Sequence, residues 1–178
     1  DGSEDVVDSL VVEEPLEIRL GDESVAVVMR TPGDDMALAV GFLFSEGILK
    51  DPEQVLSVAY CRDVEAEAAG NIVRVLAEGA DRGAFEAARR EVYASSSCGL
   101  CGKTTLDAIR LLAPPLPEVP RLDAAVLASM PETLRASQSL FDSTGGLHAA
   151  GLFRPDGTLR LAKEDVGRHN ACDKVLGS

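Results

Sequence analysis

Short strand-like runs alternating with helix-like runs predict an α/β or α+β fold for this chain of 178 residues. Apolar residues at 46% and charged residues at 26% are the mixture of a globular core with a charged surface. The length fits one domain of ordinary size, or one domain with a small annex.

The elements follow in order. Leu16 to Leu20 alternates apolar and polar, Gly21-Asp22-Glu23 supplies a turn, and Val25 to Arg30 is β-rich, which together predict a hairpin. Thr31-Pro32-Gly33-Asp34-Asp35 breaks it, with Asp34 or Asp35 placed to cap a helix over about Met36 to Glu46 and Gly47 suited to its C′ position. That helix is apolar nearly all round and is predicted to be buried on most sides. Its apolar run, Met36 to Phe44, is nine residues, far short of the roughly twenty that a membrane span requires. Asn71 to Leu76 reads as a strand and Ala84 to Val92 as a helix. Ser95-Ser96-Ser97 leads into Cys98-Gly99-Leu100-Cys101-Gly102, and Thr104 to Leu112 reads as the helix after it. Ala113 to Val119, closed by Pro120, is proline-rich and marks a linker. A helical stretch is expected from Asp123, with Pro131 starting a second helix at its first turn. Thr144-Gly145-Gly146 is a sharp break. His148 to Phe153 and Thr158 to Ala162 flank Pro155-Asp156-Gly157 as a second hairpin, and Arg168 to Leu176 closes the chain as a helix ended by Gly177. No strand follows for that helix to cover, so the chain reads as C-terminally truncated.

The net charge is −13, from 30 acidic and 17 basic residues. That balance argues against nucleic acid as a partner, because phosphate binding relies on clustered Lys and Arg. The acidic start, Asp1-Gly2-Ser3-Glu4-Asp5, has no signal-peptide pattern and no initial Met, so it reads as trimmed. Four cysteines, Cys61, Cys98, Cys101 and Cys172, without any mark of secretion, point to thiol chemistry or metal binding in reducing cytoplasm.

The cysteine loop carries the chemistry. A helix N-terminus after the thiols and the charge of Lys103 both favour thiolate, the nucleophilic form. The glycines let the backbone bend and a bulky partner approach. A structural zinc site would need four ligands, which Cys98, Cys101, His148 and His169 could supply only with unfamiliar spacing. Thioredoxin-type exchange is a second alternative. A P-loop is excluded, since Ser97 stands where the motif ending in Gly102-Lys103-Thr104 requires glycine. Cys61 and Cys172 read as buried small apolar residues.

The other polar signals lie after the linker. Thr144 to Ala150 places His148 just past two glycines. Glu164-Asp165-Val166-Gly167-Arg168-His169-Asn170-Ala171-Cys172-Asp173-Lys174 mixes acids, bases and His around one glycine at a strand-to-helix turn. A charge run is usually a solvated helix face. A helix starting near Arg168, however, would aim N–H groups and a guanidinium at an anion, and would gather cations in an acidic protein.

Six strings occur in a recognisable order: Glu14-Pro15-Leu16-Glu17-Ile18, Met29 to Asp35, Gly41-Phe42-Leu43 with Glu46-Gly47-Ile48, the Cys98 loop, Thr144 to Ala150, and Glu164 to Lys174. In these the chain resembles the formate dehydrogenase accessory sulfurtransferase family (FdhD) across nearly its whole length. The resemblance implies a cytoplasmic homodimer with a cytidine-deaminase-like mixed sheet and flanking helices plus a small N-terminal β/α region. Divided at the proline-rich linker, residues 1–113 are expected to form the N-terminal β/α region with the cysteine loop. Residues 121–178 would begin the α/β cofactor-binding part, unless the two make one continuous domain.

The function implied is sulfur transfer. A cysteine desulfurase donates persulfide sulfur, and the protein delivers it to the molybdenum bis(molybdopterin guanine dinucleotide) cofactor, bound as cargo, which apo-formate dehydrogenase needs. Cys98 matches the persulfide-bearing cysteine and Cys101 its partner. Arg30, His148, Asp165, Gly167, Arg168, His169, Asn170 and Lys174 are the candidate contacts to the guanine nucleotide moiety. No resident metal is expected. The family continues past the Asp173-Lys174 position, where a later segment helps to hold the guanine dinucleotide. The alternatives are a zinc-binding deaminase-like hydrolase and a cofactor-binding chaperone without sulfur transfer. Against the first, Ser97 replaces the proline of the deaminase string, and neither His has a Glu two residues on.

Overall fold

The computed structural model describes residues 7–62, 65, 68–91 and 121–178. The Cys98–Cys101 loop, the helix expected over Thr104 to Leu112 and the proline-rich linker lie outside the described residues.

The first hairpin forms as its alternation dictates. β1 (Glu14–Leu20) pairs antiparallel with β2 (Glu23–Arg30) about Gly21, whose φ of 60° suits a residue without Cβ. Leu16 and Ile18 of β1 are fully buried, while Glu17 and Arg19 on the other face form an ion pair at 2.8 Å. β4 (Ile72–Ala77) runs parallel to β1, and β3 (Val55–Tyr60) antiparallel to β4, giving a mixed sheet of order β2-β1-β4-β3. The sequence did not announce β3, because an irregularity in pairing between Val55 and Ser57 disrupts the period-2 pattern.

α1 (Asp35–Ser45) carries the chain from the β2 edge of this sheet to the β3 edge and lies across its inner face. Leu38, Ala39 and Leu43 pack there with Leu16, Ile18, Val73 and Val75. The helix ends at Gly47, with φ of 69°. Asp34 occupies the N-cap position but does not cap with its side chain; it sits at φ 55° and pairs with Lys163 at 2.7 Å. α2 (Arg82–Glu91) completes this core with Phe85 and Ala88.

The later part is a second, smaller layer. α3 (Ala124–Arg135) is capped by Asp123, whose carboxylate accepts from Ala125 N at 2.7 Å. Pro131 lies inside this helix rather than at the start of a second one. α3 buries none of its residues, so the carbonyl that Pro131 leaves without a donor is not shut away from water, and the helix continues through. α4 (Ser139–Thr144) stops at Gly145, φ 69°. β5 (His148–Phe153) and β6 (Leu159–Asp165) form the second hairpin, and α5 (Arg168–Leu176) follows within two residues.

α5 packs against β5, β6 and α1, and so joins the two layers. Its contact with α1 is backbone on backbone. A Cβ built on Gly41 would lie 1.9 Å from the Asp173 carbonyl oxygen, and one on Gly177 would lie 2.0 Å from that of Ala37. α5 buries Ala171, Asp173 and Lys174, which turns Cys172 outward. Cys172 is therefore exposed, not buried as its small apolar character suggested, whereas Cys61 is buried as expected. Among the described residues, no helix is long and apolar enough to cross a membrane.

Candidate functional site

Two buried charge networks frame the place where the later motifs meet. In the first, Arg30 at the end of β2 is 2% exposed. Its Nε and Nη2 donate to the two Asp35 carboxylate oxygens at 3.0 and 2.7 Å. Nη2 also reaches Asn71 Oδ1 at 2.9 Å, and Nη1 reaches Glu14 at 3.4 Å. A bidentate pair of this kind keeps both charges satisfied away from water. Tyr60 Oη donates to Asp35 at 3.1 Å, and burial followed by the Asp35 charge pushes the phenol above its ordinary range.

In the second network, Asp165 is fully enclosed and accepts from four donors. These are Lys174 Nζ at 2.7 Å, Gly167 N at 2.8 Å, Asn170 Nδ2 at 2.9 Å and Thr31 N at 3.1 Å. Lys174 Nζ also donates to the Thr31 carbonyl at 2.8 Å, Val166 N to Thr31 Oγ1 at 3.0 Å, and Asn170 Nδ2 to the Met29 carbonyl at 2.8 Å. This cluster ties the β2–α1 connection to the turn that opens α5, across more than 130 residues of chain. Gly167 is needed close in: a Cβ there would meet the Asn170 amide nitrogen at 2.8 Å.

The structure thus divides the candidate residues. Asp165, Asn170 and Lys174 hold one another and the backbone, while Arg30 is held apart from them by Asp35, Asn71 and Glu14. His148, Arg168 and His169 are exposed, and none of their side chains has a hydrogen-bond or ion-pair partner among the described residues. The β5–β6 register sets His148 opposite Asp165, two residues before Gly167, so it stands at the end of the sheet where α5 begins. Gly167 makes no side-chain cap, and no acidic residue lies in the first turn of α5. The result is a positive helix end with a guanidinium and two imidazoles at or near it, an arrangement able to receive an anion. Cys98 and Cys101 lie outside the described residues, and the described residues contain no His, Cys, Asp and Glu grouping able to hold a metal ion.

A neighbouring cleft of about 230 Å³ opens between Pro32–Asp34, the Ser137–Leu140 turn and Ala162–Glu164. Its charges are already used. Asp34 pairs with Lys163, and the Glu164 carboxylate caps α4 by accepting from Leu140 N and Phe141 N at 3.0 and 2.8 Å.

Thr31, Asp35, Tyr60 and Asn71 were not anticipated as members of these networks. Their only signal was the presence of Thr31 and Asp35 in one of the shared strings.

The family model described as the FdhD/NarQ family matches residues 11–178. A sulfur carrier protein FdhD from Streptomyces coelicolor is 50% identical over 175 residues, covering 96% of this chain and 62% of that protein. One from Mycobacterium tuberculosis is 46% identical over 178 residues, covering 96% of this chain and 64% of that protein. A solved structure described as a formate dehydrogenase accessory protein from Desulfotalea psychrophila superposes with a TM-score of 0.64 at 26% identity, over 96% of this chain and 57% of that one. The chain therefore spans somewhat under two thirds of the length of these relatives.

Proposed function

The chain belongs to the FdhD/NarQ family, and from that premise we propose that it is the sulfur-carrying part of an accessory protein for formate dehydrogenase. The observation that carries this reading is the similarity, at about half identity over 96% of the chain, to proteins named as sulfur carriers, in a span that includes the Cys98 loop. In this reading the Cys98 thiolate attacks the outer sulfur of a cysteine desulfurase persulfide. A Cys98 persulfide forms, and the donor cysteine leaves as a thiol. The outer sulfur then passes to the molybdenum bis(molybdopterin guanine dinucleotide) cargo. Cys101 assists by attacking the inner sulfur: a Cys98–Cys101 disulfide forms, the outer sulfur leaves as hydrosulfide, and a cellular thiol reductant restores the pair. The reading includes a cytoplasmic homodimer, a cytidine-deaminase-like fold for the whole protein, and apo-formate dehydrogenase as the recipient.

The exposed Arg168, His169 and His148 at the start of α5 suit the phosphates of the guanine dinucleotide, as a guanidinium and two imidazole donors in contact. Asp165, Asn170 and Lys174 then act by fixing the turn that presents them, and Arg30 by holding the start of α1 through Asp35. Arg168→Ala is expected to weaken guanine nucleotide binding by the whole protein about tenfold, the worth of one charge-assisted hydrogen bond. Its thermal midpoint should not change, because Arg168 is exposed and has no partner among the described residues. Titration by calorimetry reads this directly; unchanged affinity would remove Arg168 from the site. The broader reading is tested in cells lacking their own family member. The whole protein with Cys98→Ala should leave formate dehydrogenase present but inactive, and normal activity would exclude Cys98 as the carrier.

A further inference from the structure

α1 and α5 approach backbone to backbone at Gly41, and Ser45, one turn further along α1, meets the Asp173 carboxylate. Asp173 is 6% exposed, and Ser45 Oγ at the end of α1 donates to its Oδ1 at 2.5 Å. Among the described residues no cation balances it. On α5, Lys174 turns away to Asp165, and His169 lies one turn earlier and is exposed. From β6, Lys163 is committed to Asp34 and Asp165 to Lys174, and His148 of β5 is at the other end of α5. From α1 and its cap the charged neighbour is Glu46, of like sign. Burying a carboxylate on these terms disfavours its charged form.

We propose that Asp173 is a proton-operated contact on the α1–α5 crossing: neutral, it lets the helices close on each other, and ionised, it works against Glu46 and loosens them. Since this crossing joins the two layers, proton uptake tightens the junction beside the candidate anion site. The direction of titration agrees. Burial first, with Glu46 adding and the Ser45 hydrogen bond opposing, raises the carboxyl from 3.8 to about 6. The folded protein therefore binds this proton more tightly than the unfolded chain does. The resulting stability is complete below the ordinary carboxylate value and is lost as pH rises through about 6.

The test is amide hydrogen exchange at pH 5 and pH 7.5, corrected for intrinsic rates, on wild type, Asp173→Asn and Glu46→Gln. In wild type, protection over residues 37–46 and 170–177 should fall about tenfold between the two pH values, the linkage expected of a carboxyl raised to about 6. The β1–β2 hairpin should not follow. Asp173→Asn keeps an acceptor for Ser45 without the charge, and should hold the same protection at both pH values. Glu46→Gln removes the like charge, and the fall should shrink. A fall that persists in Asp173→Asn would overturn the proposal, as would one spread equally over the hairpin. Should Asp173→Asn not fold, an undiminished fall in Glu46→Gln overturns it alone.

Discussion

Replacing Lys174 by Met is expected to destabilise the protein by about 3–5 kcal/mol, the usual consequence of leaving one member of a buried ion pair alone. The ammonium is 2% exposed and its partner Asp165 fully enclosed, at 2.7 Å. Met fills the volume of the stem, so the loss is electrostatic rather than a cavity. Asp165 would keep its donors from Gly167, Asn170 and Thr31, but the Thr31 carbonyl would lose the Nζ bond of 2.8 Å. The double substitution Asp165→Asn with Lys174→Met removes both charges together and should recover part of the loss. Urea unfolding of the three proteins measures both effects. A loss below about 1 kcal/mol for Lys174→Met would mean that the pair is solvated or absent.

Gly41→Ala is the second large effect. The added methyl would stand 1.9 Å from the Asp173 carbonyl oxygen, 2.6 Å from its carbon and 2.9 Å from its Cα. All three are backbone atoms, so no rotamer change relieves the clash; α5 must move off α1. Overpacking of this kind costs about 1–3 kcal/mol or more, against which alanine regains roughly 1 kcal/mol of helix propensity. A net loss of about 2 kcal/mol is expected by thermal or denaturant unfolding. Gly146→Ala is the control, because its Cβ would meet nothing closer than a carbonyl at 3.9 Å. Equal behaviour of the two variants would show that the helices do not cross at backbone contact.

Local chemistry made much of the fold legible in advance. The turns at Gly21 and Pro155-Asp156-Gly157, the helix end at Gly47 and the break at Thr144-Gly145-Gly146 all stand where residue preferences place them. What escaped was set by tertiary context. β3 is interrupted in its pairing, and Pro131 is tolerated because α3 is exposed. The buried side of α5 carries Asp173 and Lys174, so a hydrophobic period could not show that Cys172 faces out. The motif from Glu164 to Lys174 was visible as a polar concentration. Its division into residues that hold the turn and the exposed Arg168 and His169 depends on Thr31 and Met29, more than 130 residues away, and no local pattern encodes that. The Cys98 loop and the helix expected after it lie outside the described residues.

That loop is the centre of the account, and intact mass under non-reducing conditions tests it most directly. The protein and its Cys98→Ala variant are each incubated with a cysteine desulfurase and cysteine. Transfer through Cys98 predicts a gain of one sulfur atom in the wild type, reversed by reductant and absent from the variant. A wild type that gains nothing, or a variant that gains as much, would contradict it.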